Sequence, residues 1–182
     1  MPVYISLLRG INVGGHKLVA MAKLRASFAA LGFEQVETYI QSGNVVYRTK
    51  KTSTAKLSSV IERKLVEDFG FEVLVITRTR EELEKAITGN PFVKEKGIDP
   101  EKLHVSFLYE APAPEALQVL ASLTKTPDRS EVVGAELYLY LPNGMAKSSL
   151  ANNAIERKHL KRSTVRNWRT VHALYQMALE CK

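Results

Sequence analysis

TVRNWRTVHALYQMALE, residues 164–180, decides how the second half of this chain is completed. Placed on a helical wheel at about 100° per residue, it gathers Val165, Trp168, Val171, Leu174, Tyr175, Ala178 and Leu179 on one half. That half belongs to a core, so a single helix is predicted from 165 to about 180. Arg166 and Arg169 fall outside the apolar arc, in the first turns, where unpaired backbone N–H groups and the helix dipole favour an anion. Asn167 lands inside the arc, and a buried amide has to make its hydrogen bonds. Two readings stand side by side. Thr164 caps the helix with Asn167 at the third helical position and the arginines are solvated charges. Or the two arginines and Asn167 meet a phosphate, a carboxylate or a nucleic-acid backbone.

Widening the window strengthens the charge. In residues 147–172 Lys147, Arg157, Lys158, Lys161, Arg162, Arg166 and Arg169 oppose the single acid Glu156, which leaves six of the chain's net charge of +7 in this stretch. Lys147 and Ser148 lie between a turn and a predicted helix over 150–160, as an N-cap with an exposed lysine or as a phosphate grip. A short joint between two C-terminal helices also fits a helix-turn-helix with Arg166, Asn167, Arg169 and Thr170 at the head of a recognition helix. The joint KRST has no glycine and the first helix has a weak apolar stripe, which argues against it.

Upstream, 103–109 reads as a strand, the Pro112/Pro114 region leads into a helix with Leu117, Leu120 and Leu123, and Val132-Val133 pairs with 137–141 across Gly134. With the helix over 150–160 the order is β-α-β-β-α, without a last strand. The first half spells the complete order. Residues 3–8 form a buried strand that stops at Arg9-Gly10, a loop with Gly10, Gly14 and Gly15 comes next, and then a helix bears Met21, Leu24, Phe28 and Leu31 on one face before Gly32. Strands at 36–40 and 45–49 flank the turn Gln41-Ser42-Gly43-Asn44. A helix capped by Ser53 or Thr54 points Leu57, Val60, Ile61, Leu65 and Phe69 inward and ends at Gly70, and 73–76 is a fourth strand. This is βαββαβ, the split βαβ order of ferredoxin-like folds. Thr79 with Glu82 makes a capping box for a connecting helix that ends at Gly89 before Asn90-Pro91. The expected fold is α+β: two ferredoxin-like halves with antiparallel sheets and a C-terminal helical segment, divided as 1–78 and 79–182.

With 182 residues, 45% hydrophobic, the chain can bury a sizeable core. A sequence pI near 9.5 makes nucleic acid, acidic lipid or an anionic metabolite natural partner classes. The one cysteine, Cys181, provides no disulfide framework, and a cytoplasmic setting fits. No run of about 18 apolar residues and no charged n-region occurs, so neither a membrane span nor secretion is expected. RGINVGGHK matches neither GxGxxG nor GxxxxGK[ST]. Its glycines either permit positive φ in a tight loop or cradle a phosphate on backbone N–H groups. Arg9 and Asn12 are candidates at the strand's carboxyl end, His16 and Lys17 weaker ones. His16, His104, His159 and His172 show no metal-ligand spacing, no serine sits in a nucleophile elbow, and no metal, cofactor or catalytic residue is assigned.

LLRGINVGG near the start, Met21 with Leu24-Arg25, TYIQSGNVV at 38–46, Asn90-Pro91-Phe92, Lys147 with Ser148, and TVRNWRTV at 164–171 together resemble the bacterial domain-of-unknown-function 1697 family. The resemblance runs along the whole chain. It implies an α+β protein with two ferredoxin-like halves and no assigned activity. It further implies that Arg9, Gly10, Asn12, Gly14, Gly15, Gln41, Ser42, Gly43, Asn44, Arg166, Asn167, Trp168, Arg169 and Thr170 are signature positions, with no catalytic role attached.

The function expected from the sequence is binding of an anionic small molecule or nucleic acid in a cleft between the two halves. Arg9, Arg166 and Arg169 would supply charge, and Asn12, Gln41, Asn44 and Asn167 would orient the ligand, with Ser42, Lys147, Ser148 and Thr170 beside them. An enzyme acting on an anionic small molecule, or a structural or protein-interaction module, are the alternatives. The sequence names no reaction, no ligand and no oligomeric state.

Overall fold

A computed structural model describes residues 1–150 and 160–182. Two compact units divide them: Met1–Glu84 with Ala173–Lys182, and Lys85–His172.

The first unit is built on β1 (Val3–Leu8), every residue of which is buried. Its VYISLL run is covered on both faces, as its mostly apolar character requires. After α1 (Met21–Ala30) come β2 (Glu34–Tyr39), β3 (Asn44–Arg48), α2 (Thr54–Phe69) and β4 (Val75–Thr79). The sheet order is β2-β3-β1-β4, with every neighbouring pair antiparallel. One core gathers Tyr4, Leu8, Leu24, Phe28, Phe33, Tyr47, Ile61 and Leu65, where the rings of Phe28, Phe33 and Tyr47 stack or meet edge to face with centroids 4.6–6.0 Å apart. Ser6 is fully buried and would be costly alone. Its hydroxyl lies 3.0 Å from Tyr47 Oη and 2.9 Å from Thr77 Oγ1, and Ser58 Oγ donates to Thr77 Oγ1 and accepts from Thr77 N–H. That network satisfies the polar atoms, and burial raises the Tyr47 phenol well above its ordinary pKa. The caps agree with the sequence: Ser53 accepts from Lys56 N–H, Gly70 closes α2 in the left-handed conformation, and Thr79 and Glu82 form the reciprocal box that starts α3 (Arg80–Thr88).

The second unit repeats the design with β5 (Leu103–Leu108), α4 (Pro114–Leu123), β6 (Arg129–Val133), β7 (Glu136–Tyr140) and β8 (Ser163–Asn167), in the order β6-β7-β5-β8. Two ferredoxin-like halves are therefore present. The helix expected over 150–160 lies outside the described residues but for its two end residues, Leu150 and Leu160.

β8 corrects the expectation of one continuous helix. The final helix starts at Trp168, not 165, and α5 runs Trp168–Glu180. Residues 163–167 instead pair antiparallel with β5, from His104↔Asn167 to Leu108↔Ser163. The second half thus has the last strand that the helical wheel removed. The open edge of β5 offers a row of backbone partners, and β-branched Thr164 and Val165 suit a strand. Val165 only coincided with the helical stripe that begins at Trp168. Thr164 is accordingly not the cap. Asn167 is: its Oδ1 accepts from Thr170 N–H at 2.8 Å.

Candidate functional site

At the carboxyl end of β1, Leu8 N–H donates to Gly43 O at 2.7 Å and Arg9 N–H to Leu74 O at 2.9 Å. The chain then leaves the sheet as a small β-finger. Asn12 N–H donates to Lys17 O at 3.1 Å, His16 N–H to Val13 O at 3.0 Å, and Val13 and His16 form an antiparallel bridge. Gly14 and Gly15 make the turn with φ of 58° and 76°. Two consecutive positive φ values define the type I′ hairpin turn, for which Gly-Gly is suited. These glycines serve the turn.

The finger is anchored at its base. Ile11 and Val19 are buried, and the Asn12 amide closes between the arms, with Nδ2 donating to Val19 O and Gln41 O and Oδ1 accepting from Val19 N–H, at 2.8–2.9 Å. The QSGN turn is locked to it. Asn44 is fully buried and donates to Tyr39 O and Ser42 Oγ. Gly43 has φ of 76°, and a Cβ there would stand 2.6 Å from Leu8 Cβ and 3.0 Å from Ile11 Cδ1. Only glycine fits. The structure thus brings Arg9, Asn12, Gln41, Ser42 and Asn44 into one cluster in the first unit. Asn12, Asn44 and Ser42 spend hydrogen bonds on holding it, Gln41 is exposed and Arg9 is half-buried.

The segments that build this scaffold are one-sided in charge. Residues 1–33 and 38–61 contain no Asp or Glu, while Arg9, Lys17, Lys23 and Arg25 lie in the first of them. Lys17 donates its Nζ to Glu72 O, 5.7 Å above the Phe71 ring. Val13 and Leu18 on the finger and Ile40 before the turn are 63%, 70% and 54% exposed, more than any other large apolar side chains among the described residues. Sequence periodicity could not have shown that exposure.

The remaining candidates belong to the second unit. Arg166 is buried in β8, where its Nη1 donates to Thr164 Oγ1 and Val165 O at 2.8 Å, and burial pulls its pKa down to about 10. It stays charged at neutral pH. Trp168 is buried, with the His172 ring edge-on at 4.7 Å, and Thr170 is buried too, while Arg169 is exposed in the first turn of α5. Lys147 is exposed at the end of a 3-10 turn, Met145–Lys147. Ser148 is buried, donating to Asp128 Oδ2 at 2.6 Å and accepting from Leu150 N–H. Sequence pattern gave no sign of another contact: the Arg162 guanidinium lies 3.5 Å over the Tyr109 ring centroid. Among the described residues no three His, Cys, Asp or Glu side chains gather as metal ligands, and no helix is long and apolar enough to cross a membrane.

Among solved structures the chain is similar to the conserved bacterial protein SP0830 from Streptococcus pneumoniae, with a TM-score of 0.77 and 25% identity over 97% of this chain and 98% of that one. No curated protein is a significant match. The model of the DUF1697 family, described as a protein of unknown function, matches residues 1–138, a span that holds the finger, the QSGN turn, β5, β6 and the start of β7. On that match the chain belongs to the DUF1697 family.

Proposed function

We propose that this protein is a cytoplasmic binding protein for an anionic ligand, a nucleic acid or a phosphorylated metabolite, and that the finger and QSGN turn of the first unit are its seat. The observation that carries this reading is the fixed scaffold, whose own two loops contain no acid: Asn12 and Gly43 fix them together, and Arg9, His16 and Lys17 are the ionisable side chains those loops carry. A cluster fixed in advance loses little entropy on binding. Arg9 offers a planar two-pronged donor and Lys17 a point charge. Exposed Arg169 of the second unit is a further cation for the same class of ligand.

Glycine amides report such binding directly. In 15N-labelled full-length protein, inorganic phosphate, a mononucleotide, and single-stranded and duplex oligonucleotides are titrated at about 50 and 200 mM salt. The expected result is saturable shifts of the Gly10, Gly14, Gly15 and Gly43 amides, weakened in Arg9→Ala and Lys17→Ala. A polymeric ligand contacting several phosphates loses affinity steeply over that salt range, and a single metabolite does not. Unmoved glycine amides across the panel reject the reading.

A further inference from the structure

The first unit fills the carboxyl end of its central strand with the finger; the second inserts no such finger between β5 and α4. Tyr109 comes after β5 as Arg9 comes after β1, and its N–H donates to Arg162 O at 2.8 Å as that of Arg9 donates to Leu74 O. The chain then goes directly through Glu110, Ala111, Pro112 and Ala113 into α4. What remains is a cavity of about 380 Å³, walled by these residues and by Leu108, Leu160, Lys161 and Arg162.

We infer that this cavity is a second binding site, for a nucleoside phosphate, with the base lying on the Arg162–Tyr109 stack. Three features support it. The guanidinium is already held flat on the tyrosine ring at 3.5 Å, so a planar platform exists before the ligand arrives. Planar bases stack on guanidinium and phenol faces alike. Lys161 and Arg162 are both exposed and put positive charge at the rim, where a phosphate is stabilised. Glu110, an exposed acid in the same wall, repels a bare anion but accepts a hydrogen bond from an exocyclic amine of a base. That combination selects a base-bearing anion over a simple phosphate. The volume lies at the small end of the range for ligand pockets, which suits one nucleotide.

The unit recognised is the same in a free mononucleotide and in a single strand, and the test separates the two sources. AMP, ribose 5-phosphate and an oligodeoxyadenylate are titrated into the 15N-labelled full chain while the Tyr109 amide and the Arg162 Nε–H signal are followed. AMP is expected to shift both and to bind at least tenfold more tightly than ribose 5-phosphate. Arg162→Lys keeps the charge and removes the plane, so it should erase that tenfold preference; Lys161→Ala should weaken both ligands together. Glu110→Gln, a surface change that leaves the stack intact, should lower AMP affinity relative to IMP. Oligonucleotide binding that is tighter than AMP and falls steeply with salt identifies the polymer as the source, and equal per-nucleotide affinity identifies the monomer. Equal affinity for AMP and ribose 5-phosphate overturns the inference, as does a preference that survives Arg162→Lys or unmoved Tyr109 and Arg162 signals. Because the first unit is reported by its own glycine amides, failure here and failure of the finger as an anion seat are read separately.

Discussion

Leu8 and Leu108 end their strands alike, and the segments after them differ completely. Leu8 N–H donates to Gly43 O at 2.7 Å and Leu108 N–H to Ala135 O at 2.8 Å. Arg78 pairs with Ile5 as Arg166 pairs with Val105, and each arginine is buried one residue before a helix cap, Thr79 or Asn167. Each also donates Nη1 to the carbonyl of the preceding residue, Thr77 or Val165. Arg166 therefore has a counterpart in the other unit at a place that the finger and the QSGN turn do not include, and the shared skeleton explains its position. The QSGN turn matches the Gly134-Ala135 turn in position but not in its packing against Leu8 and Ile11, and the finger and the Tyr109–Arg162 stack have no counterpart among the described residues. Features that the duplicated fold does not require are where a ligand should be sought.

The largest expected break in the comparison is at the hairpin glycines. Gly43→Ala puts a Cβ 2.6 Å from Leu8 Cβ at a φ of 76°, whereas at Gly134, with φ of 61°, the nearest atom is Glu136 Oε2 at 4.0 Å. Left-handed backbone costs alanine about 1 kcal/mol, and forcing a methyl into a packed core adds roughly 2 kcal/mol. Chemical denaturation should find Gly43→Ala destabilised by about 3 kcal/mol and Gly134→Ala by about 1 kcal/mol. Equal losses would mean that the first hairpin is not welded to the finger base.

Next comes the buried hydroxyl network of Ser6, Tyr47, Ser58 and Thr77 in the first unit. Thr77 pairs with Ser6, and Val165 occupies the same place opposite Ser106. Thr77→Val removes the group that receives Ser58 Oγ and lies 2.9 Å from Ser6 Oγ, leaving buried hydroxyls short of a partner. The expected cost is about 2 kcal/mol. A neutral result would show that the hydroxyls re-pair with Tyr47 alone.

Asn12→Ala should act more locally. Three hydrogen bonds at the finger base are lost, but the finger's tip, residues 13–18, is exposed and can open without unfolding the sheet. Global stability should fall by only about 1 kcal/mol. Hydrogen exchange at the Val19 amide, which Asn12 Oδ1 holds, should accelerate at least tenfold. Exchange that stays slow would place the finger's rigidity in Ile11 and Val19 instead.

The sequence exposed what rests on neighbouring residues. The apolar run of β1, the Ser53 cap, the Thr79–Glu82 box and Gly70 are local signals, and each element stands within a few residues of where they put it. It did not expose what another strand supplies. Residues 163–167 are a strand because β5 has an open edge, and no wheel can see that edge. Val13-Gly14-Gly15-His16 carries a hairpin signal, but the arms are too short for alternation to stand out. The contacts of Asn12 with Gln41, of Gly43 with Leu8 and of Arg162 with Tyr109 join residues far apart in the chain. Register, not pattern, brings them together.

The smallest effect concerns His104, which sits where the first unit has Tyr4, each in the residue pair that closes the strand against the cap, Asn167 or Thr79. Burial lowers its pKa, with the Lys102 backbone opposing and the Lys102 charge adding to the shift. The folded protein therefore holds the imidazole neutral where the unfolded chain, with an ordinary value of about 6.5, begins to protonate. Below that pH the unfolded state binds more protons, so stability should decline as pH falls through about 6.5 and level off once the folded pKa is passed. Above it the histidine contributes no slope. Denaturant midpoints between about pH 8 and 5 should show this decline in the wild type, and His104→Tyr, which copies the first unit, should flatten it. An unchanged profile in the variant would assign the acid sensitivity to groups outside β5.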